Sequence, residues 1–221
     1  MWADDQTAGR GRWGRKWVSA PGDSLTFSLV LRPPFGIARL GLVTVAAGVA
    51  CAEGIERITG LATKTKWPND VLIDGKKVAG ILCESLVSGD RFDAIVVGVG
   101  INLALPPSLP QDVAERATSL ASVLGTSPRS EEVMRSVLDA FGPLYTSLSN
   151  EELDEDSPFL GVASSRCDTI DKEVIVHWPD GRVETGVAAM ILPSGALYVI
   201  DMDAGEAFSV DAAEVEHLRE T

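Results

Sequence analysis

The chain has 221 residues, which is enough for one sizeable domain and a small second module, since domains usually run to about 100–150 residues. It carries a net charge of −13, only two histidines and three scattered cysteines. The acidic balance argues against a general nucleic-acid-binding surface, and the low cysteine count argues against a disulfide scaffold. Two late histidines fit neither a histidine-rich metal centre nor a Ser-His-Asp triad.

The charge is unevenly distributed between the two halves of the chain. Residues 1–102 hold 12 Lys and Arg against 10 Asp and Glu, whereas residues 103–221 hold 7 against 22, so an anion-binding site is expected in the first half. The longest uncharged apolar stretch, residues 40–52, is shorter than the roughly 20 residues that span a bilayer. The first residues also lack the basic and apolar regions of a secretory signal. We expect a cytoplasmic protein with reduced thiols and no membrane or nucleic-acid partner.

The first half is predicted to consist of strands and one apolar helix. Leu25, Phe27 and Leu29 occupy every second position, which predicts a strand over residues 24–32. The Asp74-Gly75 pair between two apolar runs predicts a hairpin. An almost wholly apolar run is expected at the centre of the sheet. The remaining predicted elements are a core helix over residues 37–58, hairpin strands over 71–73 and 78–86, and the central strand over 94–103.

The second half begins as helix and ends as short strands. Apolar residues recur at three- and four-residue spacing after the cap-like Ser127 and Ser130, which predicts a long helix. The acidic stretch 150–157 is typical of a linker. Four short β-type runs separated by glycine-containing turns then predict a small antiparallel barrel. These runs cover residues 174–178, 183–189, 196–200 and 207–210.

The first candidate site is the loop over residues 6–17. Residues 7–17 contain three glycines, four cations and no acid. Glycines let a backbone approach a ligand closely, and arginine binds carboxylate or phosphate oxygens with two parallel hydrogen bonds. The loop therefore favours an anionic, phosphate-bearing ligand. A flexible RNA-binding tail is the alternative, which the strand beginning at Ser24 disfavours. The spacing matches neither a P-loop nor a dinucleotide fingerprint.

Two further segments have the composition of binding sites. The turn Lys66-Trp67-Pro68-Asn69-Asp70 places polar side chains where a strand begins, and Lys77 opens a strand of small apolar residues. Lys77 could enter a pocket as a point charge on a phosphate or carboxylate, or could be an ordinary solvated hairpin cation. In Val97-Gly98-Val99-Gly100-Ile101-Asn102, two glycines within a strand indicate either that another group approaches the backbone closely or only that the strand is tightly packed.

These three segments, in this order, resemble the signature of biotin–protein ligases. The segments around Cys167, Gly186 and residues 215–219 are similar to the SH3-like C-terminal domain of that family. The resemblance implies an α+β fold with two domains. Residues 1–157 would form a catalytic domain with a mixed β-sheet and packed helices, and residues 158–221 would form a small SH3-like antiparallel β-barrel.

The resemblance also assigns residues to roles. Biotin would contact Gln6, Arg10, Gly11, Arg12 and Lys77. The nucleotide would contact Arg12, Arg15 and Asn102. Lys77, Arg12 and Asp70 would be the catalytic residues. ATP and Mg²⁺ would be required, biotin would be the substrate, and no set of residues is assigned to the metal ion.

The implied reaction has two steps. Biotin and ATP would form biotinyl-5′-AMP, and a lysine of a biotin carboxyl carrier protein would then take up the biotin. The alternatives are a lipoate–protein ligase-like adenylating enzyme, or an inactive or truncated binding homologue. Repressor function has no support because a helix-turn-helix is missing. The oligomeric state, a homodimer included, is left open by the sequence.

The beginning of the chain departs from the family pattern. Members without a DNA-binding domain normally have a strand and a helix ahead of the glycine-arginine loop, with a Ser-Thr-Asn segment that contacts biotin. Here only five residues precede Gln6. The sequence therefore predicts a catalytic domain that is incomplete at its N-terminus and binds biotin poorly or not at all.

Overall fold

The structure is a computed structural model. It describes residues 1–88, 91–107, 109–150, 153–154, 157–202, 205–211 and 214–217.

The main sheet has six strands in the order β1-β2-β6-β5-β4-β3. Every described pair is antiparallel, so the mixed strand directions expected from the sequence are not found among these pairs. The physical reason is that β3 to β6 follow one another through short turns, which force neighbouring strands to reverse direction. The strands are β1 Trp2–Ala3, β2 Ser24–Leu31, β3 Lys64–Lys66, β4 Asp70–Ile73, β5 Lys76–Ser88 and β6 Arg91–Asn102.

Strand β6 lies between β2 and β5, which confirms its predicted central position. Val97, Val99 and Ile101 are buried in the core. Because side chains alternate along a strand, Gly98 and Gly100 lie on the opposite face. The sheet therefore has one apolar face that is packed in the core and one face that is almost free of side chains near the end of β6.

The predicted hairpin is also confirmed. Asp74 and Gly75 join β4 to β5 with positive φ angles of 49° and 73°. Two successive residues with positive φ are the mark of a type I′ turn, whose twist matches that of the two strands.

The helices cover the apolar face of the sheet. Helix α1 packs against β5, β4 and helix α4, and ends at Gly60, whose φ is 70°. Both long helices were expected: the predicted helix over residues 37–58 corresponds to α1, and the one behind Ser127 and Ser130 begins at Ser130. The helices are α1 Leu40–Thr59, α2 Gln111–Ala114, α3 Leu120–Leu124, α4 Ser130–Asn150 and α5 Pro158–Arg166.

The C-terminal part contains a five-stranded antiparallel sheet in the order β10-β9-β8-β7-β11. It fits the small β-barrel expected from the sequence, and the α+β class is confirmed. The predicted linker includes residues 151, 152, 155 and 156, which lie outside the described residues, as do residues 218 and 219. The domain boundary after residue 157 stays a prediction. The strands are β7 Glu173–His177, β8 Val183–Ile191, β9 Leu197–Ile200, β10 Ala207–Val210 and β11 Glu214–His217.

Helix α5 joins the two parts through a charged cluster. Arg166 Nη1 lies 2.9 Å from Glu56 Oε2 of α1, and Thr63 donates a backbone hydrogen bond to the same carboxylate. Burial alone would raise the pKa of Glu56, but the hydrogen bonds from Thr63 and the charge of Arg166 outweigh it and hold the pKa below its usual range. Glu56 is therefore ionised near neutral pH and links α1 to α5.

All three cysteines are free thiols. Burial raises the pKa of Cys51 to about 12 and that of Cys83 to about 11, although Thr44 partly offsets the effect at Cys83. Cys167 is buried as well. The described residues include no helix that combines the length and the apolar character needed to cross a membrane.

The α1–α4 contact generates a stability prediction. A Cβ atom at Gly54 would lie 2.7 Å from Val137 N and 2.8 Å from its Cα, so Gly54→Ala must push the helices apart. We expect the free energy of unfolding to fall by about 1–3 kcal/mol, although alanine has a higher helix propensity than glycine by about 1 kcal/mol. Gly161→Ala is the control, because a Cβ there meets nothing within 4 Å and should stabilise the chain. Urea unfolding measures both, and equal effects would contradict the prediction.

A second prediction concerns His217, whose pKa is lowered to about 4 by burial and by the charges of Lys66 and Lys172, against a smaller opposing effect of Asp168. Between about pH 6.5 and pH 4 the unfolded chain binds a proton at this histidine and the folded chain does not. The contribution of neutral His217 to the free energy of unfolding is therefore fully present above about pH 6.5 and is lost as the pH falls towards 4.

The comparison is with His217→Gln, which removes the titrating group. Chemical unfolding of both proteins at pH 7 and pH 4.5 should show a smaller loss of stability in the variant. An identical loss would mean that His217 does not carry this pH dependence.

Candidate functional site

The loop that precedes β2 folds back on itself as a small hairpin. Gly11 N donates to Arg15 O at 2.7 Å, and Trp17 N donates to Gly9 O at 3.1 Å. Arg10 and Lys16 form an antiparallel bridge between these two bonds. Hydrogen bonds of this kind hold the cations of the loop at defined positions, which counts against the flexible-tail alternative.

The tip of this loop has a backbone conformation that is unusual for a bulky residue. Trp13 has a φ of 57° and a ψ of 34°, its side chain is 53% exposed, and the Arg12 guanidinium carbon lies 5.7 Å from its ring centroid. A left-handed conformation costs about 1–2 kcal/mol for a residue with a side chain. Strain of this type concentrates at binding and catalytic sites. The tip is therefore a candidate contact with a ligand.

The loop surrounds an open cleft of about 920 Å³. Residues 6–19 line it on one side, and Leu82 and Glu84 of β5 line it on the other. The cleft brings together five of the predicted site residues, Gln6, Arg10, Gly11, Arg12 and Arg15. Arg10 Nη2 lies 3.4 Å from Glu84 Oε2 across the cleft. Four basic residues thus line one cleft, and all of them come from the half of the sequence that is not acidic. They are Arg10, Arg12, Arg15 and Lys16.

Trp17 explains the two glycines that face each other in β5 and β6. Gly80 pairs with Gly100. A Cβ atom at Gly100 would lie 2.7 Å from Cε2 of the Trp17 indole, and one at Gly80 would lie 3.2 Å from its Cζ3. The indole therefore lies flat on a patch of bare backbone. Of the two β6 glycines singled out in the sequence, Gly100 is approached closely by another group, the Trp17 indole, whereas the nearest atom to a Cβ at Gly98 would lie at 3.5 Å.

The indole of Trp17 has an unused donor. Its Nε1 is buried and has no hydrogen-bond partner among the described residues. Buried donors without an acceptor cost about 1–3 kcal/mol, and buried tryptophans usually find a partner. An acceptor atom of a bound ligand would remove that cost.

Lys77 reaches the same face of the sheet because of an irregularity in β5. Residues 77 and 80 are three apart, so strict alternation would place their side chains on opposite faces. The register shifts between Val71 and Leu72, and Val78 becomes an extra residue in β5. The bulge turns Lys77 to the face of Gly80, where a Cβ on Gly80 would lie 3.1 Å from Lys77 Nζ.

Lys77 forms an ion pair with Asp70. The Nζ–Oδ1 distance is 2.6 Å, and the side chains are 35% and 26% exposed. Asp70 Oδ1 itself is buried, so the exposed part of the Asp70 side chain does not include the oxygen that holds the ammonium. Lys77 Nζ also lies 5.8 Å from the Trp17 ring centroid. Asn69 fixes the turn beside Asp70 through two hydrogen bonds of 2.8 Å. Its side-chain amide donates to Ile81 O, and its backbone carbonyl accepts from Ile81 N.

Asn102 contacts the backbone of Lys77 and does not line the cleft. Its buried amide donates to Thr118 O at 3.0 Å and to Lys77 O at 3.4 Å. Thr118 N in turn donates to Lys77 O at 2.8 Å. These bonds fix the backbone of Lys77. The role of Asn102 towards a nucleotide stays a prediction.

The predicted site residues thus fall into two adjacent groups. The cations of the loop line the cleft, whereas Lys77 and Asp70 form a pair on the sheet, and Trp17 contacts both groups. Sequence reasoning missed Trp17 and Glu84. The two facing glycines were the only signal for Trp17, and no signal for Glu84 existed because its partner Arg10 is 74 residues away.

The metal ion has no dedicated site in the described part of the chain, where no three His, Cys, Asp or Glu side chains are grouped to hold one. Magnesium prefers carboxylate and phosphate oxygens, keeps several waters and often binds through one or two carboxylates plus substrate phosphates. The accessible carboxylate of Asp70 fits that minimal requirement.

The sequence and the fold match a known protein family. A model of the biotin/lipoate A/B protein ligase family matches residues 2–102. The biotin–[acetyl-CoA-carboxylase] ligase of Mycobacterium tuberculosis is 32% identical over 98% of this chain and 78% of its own length. The chain belongs to the biotin/lipoate A/B protein ligase family, and the resemblance inferred from the three motifs is confirmed.

Two further similar proteins are a bifunctional ligase/repressor and a biotin protein ligase. The bifunctional ligase/repressor BirA of Bacillus subtilis is 40% identical over 65% of this chain, a stretch that covers 44% of the length of that relative. The match thus spans less than half of that longer protein. A biotin protein ligase of Aquifex aeolicus in complex with biotin and ATP is 30% identical, with a TM-score of 0.82 over 99% of this chain and 88% of its own.

A substitution in β6 tests the contact between Trp17 and the sheet. Gly100→Ala should lift the indole from the backbone, because its new Cβ would overlap Cε2 and Cζ2. Gly98→Ala is the matched control on the same face of the same strand, where the closest atom lies at 3.5 Å. In ¹⁵N spectra, the indole N–H of Trp17, assigned from a Trp17→Phe variant, should shift and exchange faster only in Gly100→Ala. An unchanged signal would refute the contact.

Proposed function

We propose that this protein is an ATP-dependent biotin–protein ligase. It forms biotinyl-5′-AMP from biotin and ATP, and then transfers biotin to a lysine of a biotin carboxyl carrier protein. The proposal rests on one observation: the indole of Trp17 lines the cleft with the basic loop residues and also lies beside the Lys77–Asp70 ion pair. The names of the similar proteins support biotin as the acid that is activated. The proposed location is the cytoplasm, where ATP is available.

The first step requires that two anions approach each other. The biotin carboxylate attacks the α-phosphorus of ATP, a new carboxyl O–P bond forms, the bond to the β-phosphate breaks, and pyrophosphate leaves. Arg12 and Arg15 on the cleft wall and Lys77 on the sheet supply positive charge close to that point. Fixed charges of this kind stabilise the charge that builds up on the phosphoryl oxygens without reorganisation during the reaction.

The Lys77–Asp70 pair sets the position of the lysine before substrates bind. Asp70 holds the Lys77 ammonium 2.6 Å from its carboxylate, and the bonds of Asn102 and Thr118 fix the backbone of the same lysine. When a phosphate binds, Lys77 can donate to it with little movement. A magnesium ion bound to the ATP phosphates would add positive charge, and Asp70 is the residue that would hold it.

The second step needs no nucleophile from this protein. The uncharged amine of the carrier lysine attacks the mixed anhydride, a C–N bond forms, the proton leaves the amine, and AMP is released. This requirement agrees with the small number of histidines and with the burial of Cys51 and Cys167 and the partial burial of Cys83. The chain must exclude water from the adenylate, and the loop over the cleft is the element placed to do so.

The direct test is mass spectrometry of the purified protein after incubation with ATP, Mg²⁺ and either biotin or lipoate. The proposal requires that the biotin adenylate accumulate and that the lipoate adenylate be absent or much weaker. A predominant lipoate adenylate would make the protein a lipoate ligase. Formation of neither adenylate would favour the inactive or truncated binding homologue.

Removal of the Lys77 charge should stop adenylation. We expect Lys77→Ala to lower pyrophosphate release at least about 100-fold, because one charged donor at developing charge contributes about 2.7–4 kcal/mol to catalysis. Lys76→Ala is the matched control, since Lys76 is the adjacent and exposed hairpin lysine. Both variants should unfold at temperatures close to that of the wild type. Wild-type pyrophosphate release by Lys77→Ala would contradict the role assigned to this lysine.

A further inference from the structure

The C-terminal part of the chain holds the segment that leads to Asp70. Trp67 N donates a hydrogen bond to Thr169 Oγ1 at 3.1 Å, and the indole Nε1 of Trp67 donates to Gly195 O at 3.0 Å. Trp67 is only 4% exposed and Thr169 is fully buried. Both acceptors belong to the part of the chain that follows α5.

The same region also pairs with the edge of the main sheet. Thr65 of β3 forms a parallel bridge with Cys167, and Asp168 N donates to Thr65 O at 2.7 Å. Strand β3 is the last strand in the six-stranded order. Residues 167–169 therefore continue the sheet beyond its own edge strand and fix the backbone of residues 65–67.

The route from this contact to the catalytic pair is short. Trp67 is fixed by the C-terminal part, and Asn69 is fixed by its two hydrogen bonds to Ile81 of β5. Only Pro68 lies between them, and proline has a locked φ angle. A displacement of Trp67 has few rotatable backbone bonds over which to relax before it reaches Asp70, whose carboxylate holds Lys77.

We propose that Thr169 is a positioning residue for adenylation: its hydroxyl fixes the Trp67 amide and thereby sets where Asp70 holds the Lys77 ammonium. The inference rests on the proposed ligase activity and adds to it a residue that lies outside both the cleft and the family-matched segment 2–102. It makes the C-terminal part a structural support of the adenylation site.

The chemistry of the hydroxyl explains why threonine occupies this position. Its oxygen accepts from Trp67 N–H, and its own proton is then available to His217 Nε2, 3.1 Å away. The other ring nitrogen, Nδ1, lies 3.9 Å from Asp168 Oδ2. Valine has the shape of threonine but can make neither bond, whereas serine can make both.

The experiment compares Thr169→Val with Thr169→Ser. We expect the kcat for pyrophosphate release to fall about tenfold in the valine variant, because small displacements of reacting groups lower rates by up to about 100-fold. The KM values for biotin and ATP should change less than kcat, since Thr169 does not line the cleft. The serine variant should stay close to the wild type in all three quantities.

Trp178→Phe is the control for a loss of stability in the same region. Trp178 Nε1 donates to Glu184 Oε2 at 2.6 Å, and its ring contacts Arg182 and Phe208. This variant should lower the unfolding temperature and leave kcat unchanged. If Thr169→Val keeps the wild-type kcat, if serine does not rescue it, or if Trp178→Phe loses kcat equally, Thr169 has only a structural role and the inference is overturned.

Two further outcomes are also decisive. If Thr169→Val does not fold, Thr169→Ala replaces it, because alanine also lacks the hydroxyl that accepts from Trp67 N and is smaller than threonine. It should show the same loss of kcat, and an unchanged kcat would overturn the inference. If the wild type forms no biotin adenylate, the proposed function fails and this inference fails with it. If the wild type forms the adenylate but Thr169→Val keeps the wild-type kcat, only this inference fails.

Discussion

One extra residue in strand β5 determines on which face of the sheet the Lys77 side chain lies. Without the bulge at Val78, Lys77 would point to the apolar face, where α1 packs and a charged ammonium would lose its hydration. With the bulge, Val78 enters the core and Lys77 meets Asp70 on the open face. The bonds from Asn102 and Thr118 to the Lys77 carbonyl stabilise this irregular backbone. Bulges beside active sites commonly reorient a side chain in this way.

The two faces of the main sheet contact different parts of the chain, since one packs in the core and the other contacts the loop. Its apolar face packs against α1, and the Gly54–Val137 contact lets α4 approach α1 closely. Its other face is lined by the two facing glycines and covered by the indole of Trp17. Since side chains would occupy the space above the backbone, their absence there is what allows Trp17 of the loop to lie directly on the sheet. The two faces can therefore be altered independently.

The sequence predicted the elements and motifs well because their signals are local. Alternation, the Asp74-Gly75 turn and the cations of residues 6–17 can all be read within short windows, and each corresponds to a feature of the structure. The contacts that join these pieces are not local. The bulge in β5 depends on the register with β4, and the bond from Trp67 to Thr169 spans 102 residues. Helix α5 was missed although Pro158 at its first turn is a known start signal.

The state of the three thiols has a practical consequence for labelling. The thiolate is the form that reacts with alkylating reagents, and burial keeps Cys51 and Cys83 protonated far above neutral pH, while Cys167 is shielded by its burial. A maleimide dye added near pH 7 would therefore leave the native cysteines unmodified. A cysteine introduced at the exposed loop tip, in place of Trp13, would carry the dye alone. The protein thus offers a background free of reactive thiols in which a fluorophore can follow the loop in real time.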